Sequence, residues 1–350
     1  MLGNTNTPEN LMSYETANAV QGKTSNPWNL AHSAGGSSGG EAAAIAAGCS
    51  VAGVGSDGGG SIRVPAHFCG ICGLKPTPGR VPATGHFPPG DGAFSWLGVV
   101  GPMARSVADV RALFEVLRGP DPGDALSAPI ATQNFTREDL RGIRIGVLEC
   151  NALGAHTQDT ATAIENAAAA LAECGFRLEV FQLPELSRAL EVWWFFFGPA
   201  VAHQFGPAIT HEEESLLSPQ FREYLAAAKS DPAPTLGAVL ANCAERDRLR
   251  ASILRHMVDV PVLLSPVSNA PAFRHQEGTW KGPTGYRETM RPAQWLNLAG
   301  FPAVSVPVRF SREGLPIGVQ LIARPNEEEL LLEVAALFEQ ARGAAPNPKI

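Results

Sequence analysis

The chain has 350 residues, 45% of them hydrophobic and 17% charged, and carries a net charge of −7. This composition describes a globular protein with a sizeable core, and the acidic balance with scattered Lys and Arg argues against a nucleic-acid-binding surface. The six cysteines (Cys49, Cys69, Cys72, Cys150, Cys174 and Cys243) are too sparse for a disulfide framework and point to a reducing, cytoplasmic compartment.

Residues 1 to 34 are polar, are broken by Pro8 and Pro27, and read as loop. No basic stretch followed by an apolar core opens the chain, so no secretory signal is read there. The first helix is expected from about Ser38 to Ala47, an alanine-rich segment in which Ser37 and Ser38 suit helix capping. Cys49 to Val54 is small and apolar and reads as a buried strand. It leads into Gly58, Gly59 and Gly60, followed at once by Ser61. A glycine run is costly to order, so it marks a backbone shape that side chains would forbid. A serine at its end sits beside several unhindered N–H groups. Such groups can converge on one oxygen and stabilise an oxyanion while the serine attacks the carbonyl. A solvated glycine loop is the plain alternative.

Two familiar patterns in this region lack the context they require. Gly35 to Gly39 fits G-x-S-x-G, but the residues before it are polar and broken rather than a buried strand. Gly53, Gly55 and Gly58 fit G-x-G-x-x-G, but Pro65 argues against a helix opening there, and no acidic residue follows between 77 and 90. Cys69 and Cys72 have C-x-x-C spacing without a second pair, which favours packed thiols over zinc. No metal and no organic cofactor is called for.

Residues 65 to 100 are rich in Pro and Gly and are expected to be irregular, folded over the glycine turn. His67 and His86 lie there; a histidine-dependent hydrolase would need one of them as base, and the plainer reading is a polar loop or core residue. Ser106 caps a helix with apolar positions at Val107, Val110, Leu113, Phe114 and Leu117. Arg144–Leu148 reads as a strand, Thr160–Cys174 as a helix and Phe176–Phe181 as a strand. This alternation suggests an α/β sheet covered by helices. Residues 185 to 255 read as mainly helical. Trp193, Trp194, Phe195, Phe196 and Phe197 form either core or one wall of an apolar acyl or aryl pocket. The run is too short to cross a membrane, which takes about 20 residues. Glu212 to Glu214 read as a solvated helix start. Val260–Pro266 reads as a strand and residues 270 to 292 as a long polar loop. Ala303–Val308 and Gly318–Ala323 read as strands joined near Gly314, Glu327–Arg342 as the last helix, and the remaining tail as disordered.

The stretches GGSSGGEAAAIAAG and GVGSDGGGSIRVPAHFCGICGLKPTPGRVP together resemble the amidase signature family. Ser37 and Ser61 match that family's spacing, and the likeness extends from NTNTPENLMSYETANAV to NLAGFPAVSVPVRFSREGLPIGVQLIARP, loosening between about 150 and 255. The resemblance implies a single α/β domain with a mixed central sheet covered by helices on both faces, and a serine hydrolase of linear amides without a catalytic histidine. Ser61 would be the nucleophile. Ser37 would be the bridging serine, on a cis peptide after Gly36, with Ser38 beside it. The N–H groups of Gly58, Gly59, Gly60 and Ser61 would be the oxyanion donors, and Asp57 and Arg63 would support the turn. A neutral lysine upstream of the bridging serine would be the base. Lys23, in a polar loop, and Lys75, in GLKPT, do not fit that part. The chain thus reads as an amidase-like domain over residues 1 to 350, truncated at its N-terminus, with impaired activity or none. Two alternatives stand beside it: a transamidation component that delivers glutamine-derived ammonia to a charged tRNA, and a non-catalytic fragment. The implied partner is a small-molecule amide, with no nucleic acid and no membrane span; a homo-oligomer is left open.

Overall fold

The computed structural model describes residues 2–90, 92, 94–149, 151–205, 209, 215–282, 285–343, 346 and 348. The segment expected as loop begins instead with two small antiparallel sheets. One pairs β1 (Ala17–Asn18) with β2 (Gly22–Lys23), and the other pairs β3 (Ser25–Asn26) with β4 (Asn29–Ser33). These ladders are too short to leave an alternating pattern in the sequence.

The body of the fold is an eight-stranded sheet in the order β5-β7-β6-β11-β12-β10-β8-β9. Its members are β5 (Ala52–Asp57), β6 (Cys72–Lys75), β7 (Val99–Ala104), β8 (Arg144–Leu148), β9 (Arg177–Phe181), β10 (Val262–Pro266), β11 (Ala303–Phe310) and β12 (Pro316–Ala323). Pairing is antiparallel from β5 to β10 and parallel from β10 through β8 to β9, so the sheet is mixed as expected. The parallel pair β8 and β9 is joined through the helix Gln158–Glu173, the crossover that parallel neighbours require.

Both faces are covered, and the period of two along each strand divides the core. Val262 and Leu264 join one apolar cluster with Phe114, Leu171 and Phe338, while Leu263 joins the other with Phe68, Trp193 and Trp295. The first face carries the helices Val107–Leu117, Gln158–Glu173 and Glu328–Arg342. The second carries α1 (Gly39–Ala46), α2 (Arg63–Cys69), Leu186–Phe195 and Arg291–Ala299.

Three expectations need correction. Residues 65 to 100 are not irregular: they hold α2 and two interior strands, β6 and β7. Gly101, within β7, allows close approach; a Cβ there would fall 2.1 Å from the Leu74 carbonyl oxygen. A helix does open after the glycine run, because Pro65 lies in its first turn, where no N–H is required. The polar loop expected from 270 to 292 contains the short helix Tyr286–Thr289, and Trp280 and Tyr286 are buried in it. The expected helix start at Glu212 to Glu214 lies outside the described residues, as do Cys150 and most of the tail.

Candidate active site

The site is built at the end of β5, where the chain turns through Gly58–Ile62 into α2. Asp57, the last residue of β5, is fully buried and accepts from several donors. These are Gly60 N at 2.7 Å, Ile62 N at 3.1 Å, Arg63 Nε at 3.0 Å, Arg63 Nη2 at 2.9 Å and Asn297 Nδ2 at 3.0 Å. Burial opposes ionisation of Asp57, yet the Arg63 guanidinium against it prevails and holds its carboxyl at about 2. Arg63 reaches onward to Gln320 Oε1 at 2.8 Å, Asn297 Oδ1 at 2.7 Å and Ala293 O at 3.1 Å. One ion pair thereby ties the turn to β12 and to the helix Arg291–Ala299.

The carbonyls of the turn are each held by a side chain. Asn297 Nδ2 donates to Asp57 O at 2.8 Å, Trp193 Nε1 to Gly58 O at 3.0 Å and Tyr14 Oη to Gly59 O at 2.5 Å. Gly59 has no room for a side chain, since a Cβ would lie 2.5 Å from Trp193 Cζ2. The expected oxyanion donors are therefore not equivalent. The Gly60 N–H is engaged by Asp57, which removes Gly60 from the donor set. The N–H groups of Gly58, Gly59 and Ser61 have no hydrogen-bond partner among the described residues.

The second serine comes from the start of α1. The Gly36–Ser37 peptide is cis. Thr16 braces it from below: its hydroxyl lies 2.8 Å from Gly35 O and 3.3 Å from Ser37 O, and it accepts from Gly39 N at 3.1 Å. Ser38 does not cap the helix with its side chain; its hydroxyl pairs instead with the Ser56 backbone on β5. Ser38 N donates to Ser61 O at 3.1 Å, which locks the two serine segments together. Ser37 and Ser61 line one pocket with Gly58, Met12, Phe94 and Phe197.

His86 lines the same pocket, with Nδ1 held 2.9 Å from Pro88 O. His67 does not. Its Nδ1 accepts from Gly318 N at 2.7 Å, its Nε2 faces Ala270 O and Ser268 Oγ, and burial lowers its pKa to about 4. It is a neutral core histidine. Lys75 is fully buried and its Nζ donates to Pro76 O at 3.0 Å; burial, together with the Arg63 charge, lowers it to about 7. Lys23 is exposed. The aromatic run divides: Phe197 lines the pocket, while Trp193 stacks beneath it, ring centroids 4.7 Å apart. Tyr14, Thr16 and Asn297 escape a reading of the sequence, because each meets the turn only through the tertiary fold. Their one signal is that they lie in stretches carrying the family likeness.

A sequence profile of the family described as Amidase matches residues 1–332. The chain belongs to the amidase signature family. Among amidase relatives, a glutamyl-tRNA(Gln) amidotransferase subunit from Synechococcus sp. (strain CC9605) is 36% identical, over 97% of this chain and 73% of that protein. Among solved structures, a 6-aminohexanoate cyclic dimer hydrolase superposes with a TM-score of 0.85 at 30% identity, over 99% of this chain and 76% of that one. A bacterial aryl acylamidase superposes with a TM-score of 0.81 at 25% identity, over 97% and 72%. No helix among the described residues of this amidase is long and apolar enough to cross a membrane.

Proposed function

We propose that the chain hydrolyses the C–N bond of a neutral, largely apolar carboxylic amide through an acyl-enzyme on Ser61. The observation that carries this reading is the convergence of Ser61, Ser37 and Gly58 on one pocket, with the Gly58 and Ser61 N–H groups unpartnered among the described residues. Ser61 Oγ would attack the carbonyl, its proton passing to the Ser37 oxygen as the Ser37 hydroxyl proton passes to the amide nitrogen, while the turn N–H groups receive the developing oxyanion. Loss of the amine and attack by water would then free the acid. Among the described residues, no lysine, histidine or carboxylate is hydrogen-bonded to either hydroxyl. General-base assistance is worth about 10²–10⁴-fold, so turnover by this chain should be slow by that order.

The pocket favours an apolar acyl or aryl group. Leu11, Met12, Phe94, Val99 and Phe197 are prominent in its wall, and no Lys or Arg among the described residues lines it. The second reading, ammonia supply to a charged tRNA, is supported by the likeness to relatives such as the Synechococcus amidotransferase protein. Glutamine carries an α-carboxylate, for which the described lining offers no Lys or Arg. The test is fluorophosphonate labelling followed by peptide mass analysis, with ammonia release from simple aryl and alkyl amides by the purified chain. Label on Ser61, with labelling and turnover both lost in Ser61→Ala, is the expected result. Label elsewhere, or turnover that survives Ser61→Ala, overturns the reading.

A further inference from the structure

We infer that Asn297 and Trp193 are positioning residues that aim the unpartnered Gly58 and Gly59 N–H groups by holding the carbonyl on the other side of each peptide, and that Tyr14 keeps the turn that carries them closed through Gly60. The inference rests on the Ser61 reading above and goes beyond it to side chains that touch no substrate. A trans peptide is planar, with its N–H opposite its C=O, so whatever anchors the carbonyl fixes the direction of the N–H. The peptides from Asp57 to Gly60 are all trans. Asn297 on Asp57 O therefore directs the Gly58 N–H, and Trp193 on Gly58 O directs the Gly59 N–H. Tyr14 on Gly59 O directs the Gly60 N–H onto Asp57 Oδ1, which closes the turn.

Each anchor is itself held. The Trp193 ring is stacked on Phe197 at an interplanar angle of 17° and lies against Gly59, so it cannot rotate without leaving its pocket. The Tyr14 oxygen lies 3.4 Å from Gln294 Nε2; accepting there leaves the hydroxyl proton for Gly59. Burial raises the Tyr14 pKa, which keeps that proton in place. Asn297 uses its amide nitrogen on Asp57 O and on Leu97 O and its oxygen on Arg63 Nη2. The three residues come from three separate parts of the chain, and they meet only at this turn.

The test uses the full chain and a fluorophosphonate probe, and reads the maximal labelling rate constant and the probe's half-saturation concentration separately. Tyr14→Phe and Trp193→Phe each remove one donor and keep a ring. Replacing Trp193 by its benzothienyl isostere removes the N–H while preserving the bicyclic shape, which guards against misfolding. Misplacement of a site group by about 1 Å can cost 10²-fold, so the labelling rate at Ser61 should fall by about 10- to 100-fold while half-saturation stays within about twofold. A rate within twofold of wild type in the Tyr14→Phe and isostere proteins overturns this inference alone. So does a loss carried by half-saturation instead of rate. Absence of label on Ser61 in the wild-type chain overturns the Ser61 reading and this inference with it.

Discussion

Replacing Asp57 by Asn should destabilise the protein more than any other single change at the turn. Asp57 and Arg63 are both fully buried, with Arg63 Nη2 2.9 Å from Asp57 Oδ1. Asn removes the charge and turns one oxygen into a donor facing Gly60 N or Ile62 N and an Arg63 nitrogen. The guanidinium is then left in the core without a counter-charge, a loss of about 3–5 kcal/mol for a broken buried pair. That is a large share of a typical total of about 5–15 kcal/mol. The assay is urea unfolding at pH 7, read as a midpoint shift at constant slope. Asp57→Asn/Arg63→Met should cost less than the two single changes added together, because the double variant strands no charge. The acid limb gives an independent check. Asp57 is held at about 2, below its unfolded value of about 3.9, so its contribution is complete above about pH 4 and is lost as pH falls through 2. The acid limb of Asp57→Asn should be flatter than that of the wild type. A loss below about 1 kcal/mol, an additive double variant or an unchanged acid limb would refute the reasoning.

Two further outcomes follow from burial. Lys75 titrates at about 7 in the folded chain and at about 10.4 when unfolded, so the unfolded state binds the extra proton between those values. Stability should therefore rise across that window by up to about 1.4 kcal/mol per pH unit through Lys75, and Lys75→Met should lose that component; equal slopes in the two proteins would show Lys75 is not neutral in the core. Cys69 and Cys72 are fully buried with thiol pKa values raised by burial, whereas Cys49 is exposed. Native alkylation should modify Cys49 and reach Cys69 and Cys72 only after unfolding; rapid modification of either in the native protein would contradict their packing.

Local chemistry was legible wherever one segment carried it alone. The strand Arg144–Leu148 and the Ser106-capped helix lie where their periodicity and cap predict. The glycine run before Ser61 announces an unusual turn without any fold in view. Strands β6 and β7 were not legible, because Gly73, Gly101 and Pro102 carry local turn signals that close packing within the sheet overrides.

The sequence by itself determined the α/β class, the two serine segments and the apolar character of the core, since each depends on the residue types within a single stretch. Tertiary structure alone decided which N–H groups at the turn stay unengaged. That outcome depends on Asp57 capturing Gly60 and on Tyr14, Trp193 and Asn297 arriving from distant elements. Donor direction is a property of a peptide plane and its anchor, and no single stretch of this chain contains both.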